Sequence, residues 1–362
     1  MTAEVYFLNG KFTAQRVTGV QRVATCLVAA LDAGAMDLPG RWTLLCPPGG
    51  RPPALRRIEV RTLGAEGLPL HAWEQFTLPR AARGAHLVNL SGTAPCIAGR
   101  QALLAHDAAV FDQPQAYTTS FVRWYRFLYR RLGKKVLPLM TVSQFSRRRL
   151  ALHLGLSEAA IAVVPAGADH LADVAADPQV MAAHGIGSRP FLLAIASRNP
   201  TKNIDALVTA FGRLCLADWQ LVIVGGDNGR VFERGAVVTD PPGVVRTGPL
   251  DDAQLVALYR AATALVMPSL YEGFGLPPIE AMSLGCPVTA ANAGSLPEVC
   301  GDAALYFDPH SGAAIERALR RITDEAELRA VLRQAGLQRA SGLRWEASAR
   351  TLLAAVTGAA AR

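Results

Sequence analysis

Long apolar runs are missing from this 362-residue sequence: no stretch of eighteen uninterrupted apolar residues occurs, so no transmembrane helix is expected. The N-terminus, Met1-Thr-Ala-Glu-Val-Tyr-Phe-Leu-Asn-Gly, has an early acidic residue and no basic stretch before an apolar one. It reads as a first β-strand and not as a signal peptide. Cysteine is sparse. Cys26, Cys46, Cys96, Cys215, Cys286 and Cys300 are scattered without a C-x-x-C pair. That fits buried thiols in a reducing compartment better than disulfides or a zinc site, and a cytoplasmic protein is the expectation. His71, His86 and His153 show no metal-ligand spacing.

Charged residues are few, 18%, but unbalanced: 37 Lys and Arg against 29 Asp and Glu leave a formal net charge of +8. Nucleic acid, anionic lipid and phosphorylated small molecules all remain open as partners on composition alone. Hydrophobic residues make up 51%, which is globular and argues against disorder. A single core usually stops growing below this length, so two domains are expected.

Two series of strand and helix patterns follow one another. The first has short apolar runs at 5–8, 42–46, 86–90, 102–104 and 139–142, with helical patterns at 19–31 and at 143–154, the latter capped by Ser143. The second has strand patterns at 191–195, 221–224, 244–246, 264–267 and 287–291, and helical patterns at 204–216, 252–261 and 278–284. Residues 167–188, rich in Ala, Asp, Gly and His, read as a linker. Such alternation implies parallel sheets covered on both faces. The expectation is an α/β chain of two Rossmann-like, doubly wound domains, residues 1–175 and 176–344. Ligands in such folds bind beyond the carboxyl ends of the strands, so two facing domains would share one cleft.

The most informative stretch is Pro268-Ser-Leu-Tyr-Glu-Gly-Phe-Gly-Leu-Pro-Pro-Ile-Glu280-Ala-Met-Ser-Leu-Gly. Seven residues, two glycines and two prolines among them, separate Glu272 from Glu280, and an uninterrupted helix does not hold them comfortably. The pattern predicts a strand ending near Met267, a tight turn carrying Glu272, and a helix opening at Pro277 or Pro278 with Glu280 in its first turn. A carboxylate there suits a polyhydroxylated ligand, because it accepts hydrogen bonds from two neighbouring hydroxyls at once. A plainer reading stays open: Glu280 complements the helix dipole and Glu272 is a turn residue.

This stretch resembles the E-x7-E segment of the retaining glycosyltransferases of family 4, which have the GT-B fold. Val163-Val-Pro-Ala-Gly-Ala-Asp-His-Leu, Ser197-Arg-Asn-Pro-Thr-Lys-Asn203 and Gly294-Ser-Leu-Pro-Glu-Val-Cys-Gly-Asp-Ala-Ala304 look like family segments in the family's order, as do Asp308-Pro309 and a terminal helix opening at Trp345. The resemblance covers essentially the whole chain and is strongest over 141–309. It implies two Rossmann-like domains facing a central cleft, with the C-terminal helix 345–362 crossing back to the acceptor-side first domain and 176–344 binding the nucleotide sugar. It also implies that Glu272 faces hydroxyls of the donor sugar and Glu280 holds the ribose. Gly273, Phe274 and Gly275 would bring backbone N–H groups close to sugar or phosphate.

Arg198 and Lys202 follow the first strand of the second series. A departing nucleotide diphosphate needs its charge neutralised, and no Asp-x-Asp is present to hold a metal ion. A guanidinium fork and an ammonium can stand in for the metal, so no cofactor is expected beside the nucleotide-sugar substrate. The alternative is a solvated pair at a helix start. The resemblance places His106 in the cleft against the transferred sugar; on its own it reads equally as a structural histidine, with Asp107 as a cap. Gly19, in Thr18-Gly-Val-Gln-Arg22, lies where family members often carry a glycine-rich loop near the donor phosphates, but Gln21 stands where a further glycine is frequent. In the basic, aromatic segment 121–135, Arg123, Arg126, Arg130 and Lys134 share one face of a predicted helix, with Trp124 and Leu128 on another. An ordinary solvated face explains this. So does attraction to an anionic membrane surface, worth about 1 kcal/mol per basic residue, which suits an acceptor carried on a lipid pyrophosphate.

The sequence therefore points to transfer, with retention, of a hexose from a nucleotide diphosphate to a glycan or lipid-linked saccharide in bacterial surface-polysaccharide synthesis. The His106–Asp107 pair and the Gly19 loop are similar to those of bacterial mannosyltransferases, which favours GDP-mannose. His106, Arg198, Lys202 and Glu272 are the catalytic candidates, at the inner face of the plasma membrane, with no nucleic-acid partner expected. A GT-B epimerase or phosphorylase and a non-enzymatic basic module for membranes or nucleic acid are the alternatives.

Overall fold

The computed structural model describes residues 4–34, 36–187, 189–195, 199–226 and 240–360. The chain divides into two compact units. One comprises the residues through Ala108, Arg123–Gly167 and the segment from Trp345; the other comprises Ala109–Val122 and Ala168–Arg344.

The first unit is built on seven parallel strands: β1 Val5–Asn9, β2 Arg41–Cys46, β3 Glu59–Thr62, β4 His86–Asn89, β5 Gln101–Leu104, β6 Leu139–Thr141 and β7 Ile161–Val163, in the order β3-β2-β1-β4-β5-β6-β7. All four residues of β5 are buried, as a parallel sheet covered on both faces requires. Tyr6 of β1 stacks on Trp42 of β2 with ring centroids 4.5 Å apart. Helix α1 (Gly19–Ala33) follows β1, α2 spans Thr119–Leu132, and α3 (Gln144–Leu154) opens as predicted with Ser143 accepting from the Ser146 N–H.

The second unit has six parallel strands, β8 Phe191–Ile195, β9 Gln220–Val224, β10 Val244–Gly248, β11 Ala264–Met267, β12 Val288–Ala291 and β13 Ala304–Phe307, in the order β10-β9-β8-β11-β12-β13. Strand order reverses between β8 and β11, the switch point beyond whose carboxyl ends such sheets bind ligands. Helix α4 (Ile204–Leu214) follows β8, and α5 (Asp252–Ala261) precedes β11. A reciprocal cap opens α5: Gln254 N–H donates to Asp251 Oδ1 at 2.9 Å and Asp251 N–H to Gln254 Oε1 at 3.1 Å. Helix α6 (Leu276–Ser283) follows β11, and the C-terminal helix α7 (Trp345–Ala360) packs on α1 within the first unit.

Three strands lie outside the sequence patterns. All four residues of β3 are exposed, so it carries no apolar alternation; β7 is three residues long and β13 four. The expected linker 167–188 holds a 3-10 turn at Asp169–Leu171 and a short helix at Gln179–Ala183. Cys46, Cys286 and Cys300 are buried, and burial pushes the thiols of Cys286 and Cys300 up to about 12. Cys215 departs from the expectation of buried thiols: it caps the end of α4 and is exposed. Among the described residues no helix is long and apolar enough to cross a membrane.

Candidate functional site

Lys202 and Glu272 stand on the two loops that leave the carboxyl ends of β8 and β11. After β8, Pro200–Lys202 forms one 3-10 turn. Asn199 Oδ1 accepts from the Thr201 N–H at 3.0 Å, Pro200 takes the first position, and Asn203 ends the turn with φ 53°. The Asn203 side-chain amide donates to the carbonyls of Pro268 at 3.2 Å and Pro309 at 2.9 Å. Leu270 N–H donates to Thr201 O at 2.7 Å. The lysine turn is thereby stitched to the loop after β11. Lys202 Nζ donates to Glu272 Oε1 at 2.7 Å, with the carboxylate side chain only 9% exposed.

Gly294 and Ser295 hold the loop that carries Glu272. Ser295 N–H donates to Glu272 O at 3.2 Å, and its hydroxyl lies between the carbonyls of Glu272 (3.1 Å) and Phe274 (2.8 Å). Gly294 adopts φ +61°, and a Cβ there would stand 2.7 Å from Glu272 N and 2.9 Å from its carbonyl oxygen. Gly275, at φ +92°, is the N-cap of α6. Of the predicted trio, Gly273 lies in the turn, Gly275 caps the helix, and the Phe274 side chain is buried. Beside them, Tyr271 OH donates to Asp112 Oδ2 at 3.0 Å.

Glu280 corrects one expectation. Helix α6 starts at Leu276, with Pro277 and Pro278 inside its first turn, so Glu280 falls in the second turn and not the first. The residue is 7% exposed and both carboxylate oxygens are engaged: Oε1 lies 3.1 Å from His170 Nε2, and Oε2 accepts from Tyr259 OH at 2.8 Å. The helix dipole therefore does not account for it. The sequence assigns no site role to His170, which lies in the stretch read as a linker and within the family-like segment 163–171, or to Tyr259, which lies in a helical pattern. They stand 110 and 21 residues from Glu280, and no local spacing signals either contact.

In the first unit His106 follows β5 and is buried. Its Nε2 lies 2.9 Å from Leu90 O. A carbonyl only accepts, so Nε2 carries the hydrogen and Nδ1 keeps its lone pair. Burial pushes the imidazole pKa down to about 4, which keeps the ring neutral near pH 7. Gly19 is the first residue of α1, and Gln21 has a structural task there: its Oε1 accepts from the Thr18 N–H at 3.2 Å. Arg198 lies outside the described residues.

The sequence reading also missed a buried polar network at the carboxyl ends of β1 and β4. Lys11 Nζ donates to Glu74 Oε2 at 2.7 Å and to Thr93 Oγ1 at 3.1 Å, and lies 3.3 Å from His71 Nδ1. Asn9 Nδ2 donates to Asn89 Oδ1 at 2.9 Å and to Glu74 Oε1 at 3.1 Å. Lys11 is 2% exposed and Glu74 1%. Burial, then the Lys11 charge, lowers the His71 pKa. The basic helix is shorter than expected: α2 ends at Leu132, so Lys134 leaves the shared helical face. Arg123 and Arg130 are exposed, Arg126 is half-buried, and Phe127 is exposed among them.

Residues 177–339 match the model of the family described as glycosyl transferases group 1. The O-antigen chain mannosyltransferase B of Escherichia coli is 31% identical over a 254-residue alignment that covers 67% of this chain and 66% of that protein. A serotype-specific mannosyltransferase, WbdA of Escherichia coli, is 38% identical over 145 residues, 38% of this chain and 18% of the relative. The chain thus spans just under two thirds of the first relative and a far smaller share of the second. The crystal structure of WaaG, a glycosyltransferase involved in lipopolysaccharide biosynthesis, matches with a TM-score of 0.72 at 16% identity, covering 98% of this chain and 100% of that one. That last likeness concerns fold alone, and the fold is the one already described, two parallel sheets whose strand order reverses at a switch point. Residues 177–339 thus form a domain of the glycosyl transferases group 1 family, and the chain has the GT-B fold.

Proposed function

We propose that the protein transfers a hexose, with retention and without a metal ion, from a nucleotide diphosphate to a glycan or lipid-linked saccharide acceptor of bacterial surface-polysaccharide synthesis. The observation that carries this reading is the Lys202–Glu272 contact beside the switch point of the second sheet. A cation for phosphate and a carboxylate for sugar hydroxyls are held together where such sheets bind nucleotides. Lys202, with Arg198, supplies countercharge as the diphosphate departs, the role a metal ion plays elsewhere. Glu272 accepts from hydroxyls of the sugar, Glu280 from the ribose, and His106 Nδ1 from the transferred hexose. GDP-mannose is the favoured donor because the two Escherichia coli relatives are named mannosyltransferases.

The test is a thermal-shift panel of GDP-, UDP- and ADP-sugars, followed by transfer assays with EDTA and analysis of the product anomer. A ligand that binds only the folded state raises the melting temperature. A rise with GDP-mannose and EDTA-resistant transfer that keeps the donor's anomeric configuration are expected. No response to any nucleotide sugar would overturn the reading.

A further inference from the structure

We infer that His170 and Tyr259 are positioning residues that aim Glu280 at both ribose hydroxyls, so that the protein selects ribonucleoside over 2′-deoxyribonucleoside diphosphates. The inference rests on the reading of Glu280 as the ribose-holding group.

An ionised carboxylate offers about four lone-pair directions, two on each oxygen. At Glu280 one on each oxygen is already used, by His170 Nε2 at 3.1 Å and by Tyr259 OH at 2.8 Å. The acceptor is a carboxylate, so His170 carries its hydrogen on Nε2. Among the described residues no other donor reaches the carboxylate, so one lone pair per oxygen is left, the number that a vicinal 2′,3′-diol fills.

The two protein donors reach the carboxylate from different parts of the unit. Tyr259 lies on α5 with no exposed surface. His170 lies on the Asp169–Leu171 turn, beside an Ala168 N–H that donates to Leu343 O at 2.8 Å and an Asp169 that pairs with Arg344 at 3.2 Å. Rotating the carboxylate about its last bond breaks at least one of the two contacts, so its plane is set before a ligand arrives. At 7% exposure Glu280 has little water to replace a missing hydroxyl. A 2′-deoxyribose leaves one charged acceptor short of a donor, a loss that corresponds to about ten- to a hundredfold in affinity.

The experiment compares calorimetric Kd values of GDP and UDP, each beside its 2′-deoxy form, for the wild type and for Tyr259→Phe, His170→Ala, His170→Gln and Glu280→Gln. Tyr259→Phe removes only a hydroxyl and guards against a folding defect. The wild type is expected to prefer the ribo form of its nucleotide by about ten- to a hundredfold. Tyr259→Phe and His170→Ala should reduce that preference to a few-fold while KM for the donor rises and kcat at saturation holds, and His170→Gln, which keeps a donor, should restore part of it. Folded Tyr259 and His170 variants that retain the full preference overturn the inference. If Glu280→Gln itself binds the ribonucleotide like the wild type, the ribose reading of Glu280 fails, and the inference with it.

Discussion

Lys202 Nζ lies 2.7 Å from Glu272 Oε1, so a cation and a carboxylate from loops 70 residues apart neutralise each other beside the switch point of the second sheet. If the lysine serves the departing diphosphate, Lys202→Ala should lower kcat by about 10²- to 10³-fold. Initial rates at saturating donor decide the matter, because excess substrate cannot restore a contact made as charge develops. Turnover near the wild-type value would remove Lys202 from the leaving-group role.

Gly294 is the second point of leverage. Its φ is +61°, and the methyl group of an alanine would stand only 2.7 Å from Glu272 N, so the site leaves no room for a side chain. Gly294→Ala should destabilise by about 1–3 kcal/mol through backbone strain and displace the loop that carries Glu272. Urea denaturation reads the first effect, donor KM the second. A variant with unchanged midpoint and KM would show that the loop accommodates the methyl group freely.

His106 makes stability depend on pH. Its pKa falls from 6.5 to about 4 on burial, so the unfolded chain binds the proton that the folded chain rejects. Stability is therefore full above about pH 6.5 and declines as pH falls towards 4, by on the order of 3 kcal/mol from this residue. Denaturation curves between pH 4 and 8 should show that slope, and His106→Gln should flatten it. The same depressed pKa predicts no inflection from His106 in the activity profile near pH 6.5.

The buried Lys11–Glu74 pair is expected to show strong coupling. Lys11→Met alone strands a carboxylate with 1% exposure and should cost about 3–5 kcal/mol. Combining it with Glu74→Gln removes the stranded charge and should recover part of the loss. A double-mutant cycle in guanidinium measures both, and additive single effects would mean that the two groups do not sense each other.

The exposed side of α2 remains a proposal for membrane contact. Arg123→Ala with Arg130→Ala should weaken co-sedimentation with phosphatidylglycerol vesicles by about 2 kcal/mol, roughly thirtyfold. Wild-type protein that ignores anionic vesicles would leave these arginines as a solvated face.

Some of the site was legible beforehand because its chemistry is local. Lys202 reads as following the first strand of the second series, and Glu272 followed by Gly273 and Gly275 reads as a tight bend before a proline-led helix. The helix opens at Leu276, one or two residues before the predicted start, since prolines fit several positions of a first turn. That small shift moved Glu280 out of reach of the dipole. His170 stayed hidden because its partner is 110 residues away, and β3 because an exposed edge strand has no apolar alternation to detect.

The sequence by itself determined the class of fold: runs such as Phe191–Ile195 and Ala264–Met267 are apolar throughout, and such strands must be covered on both faces, with helices between them. It also determined where the backbone must bend, since glycine and proline act on their own φ angles. Only the tertiary structure decided which polar and charged groups meet. Lys202 with Glu272, His170 with Glu280 and Lys11 with Glu74 are brought together by strand order and burial. A contact of that kind is a property of the packed sheet, because desolvation makes pairing obligatory only after distant segments have closed around the groups.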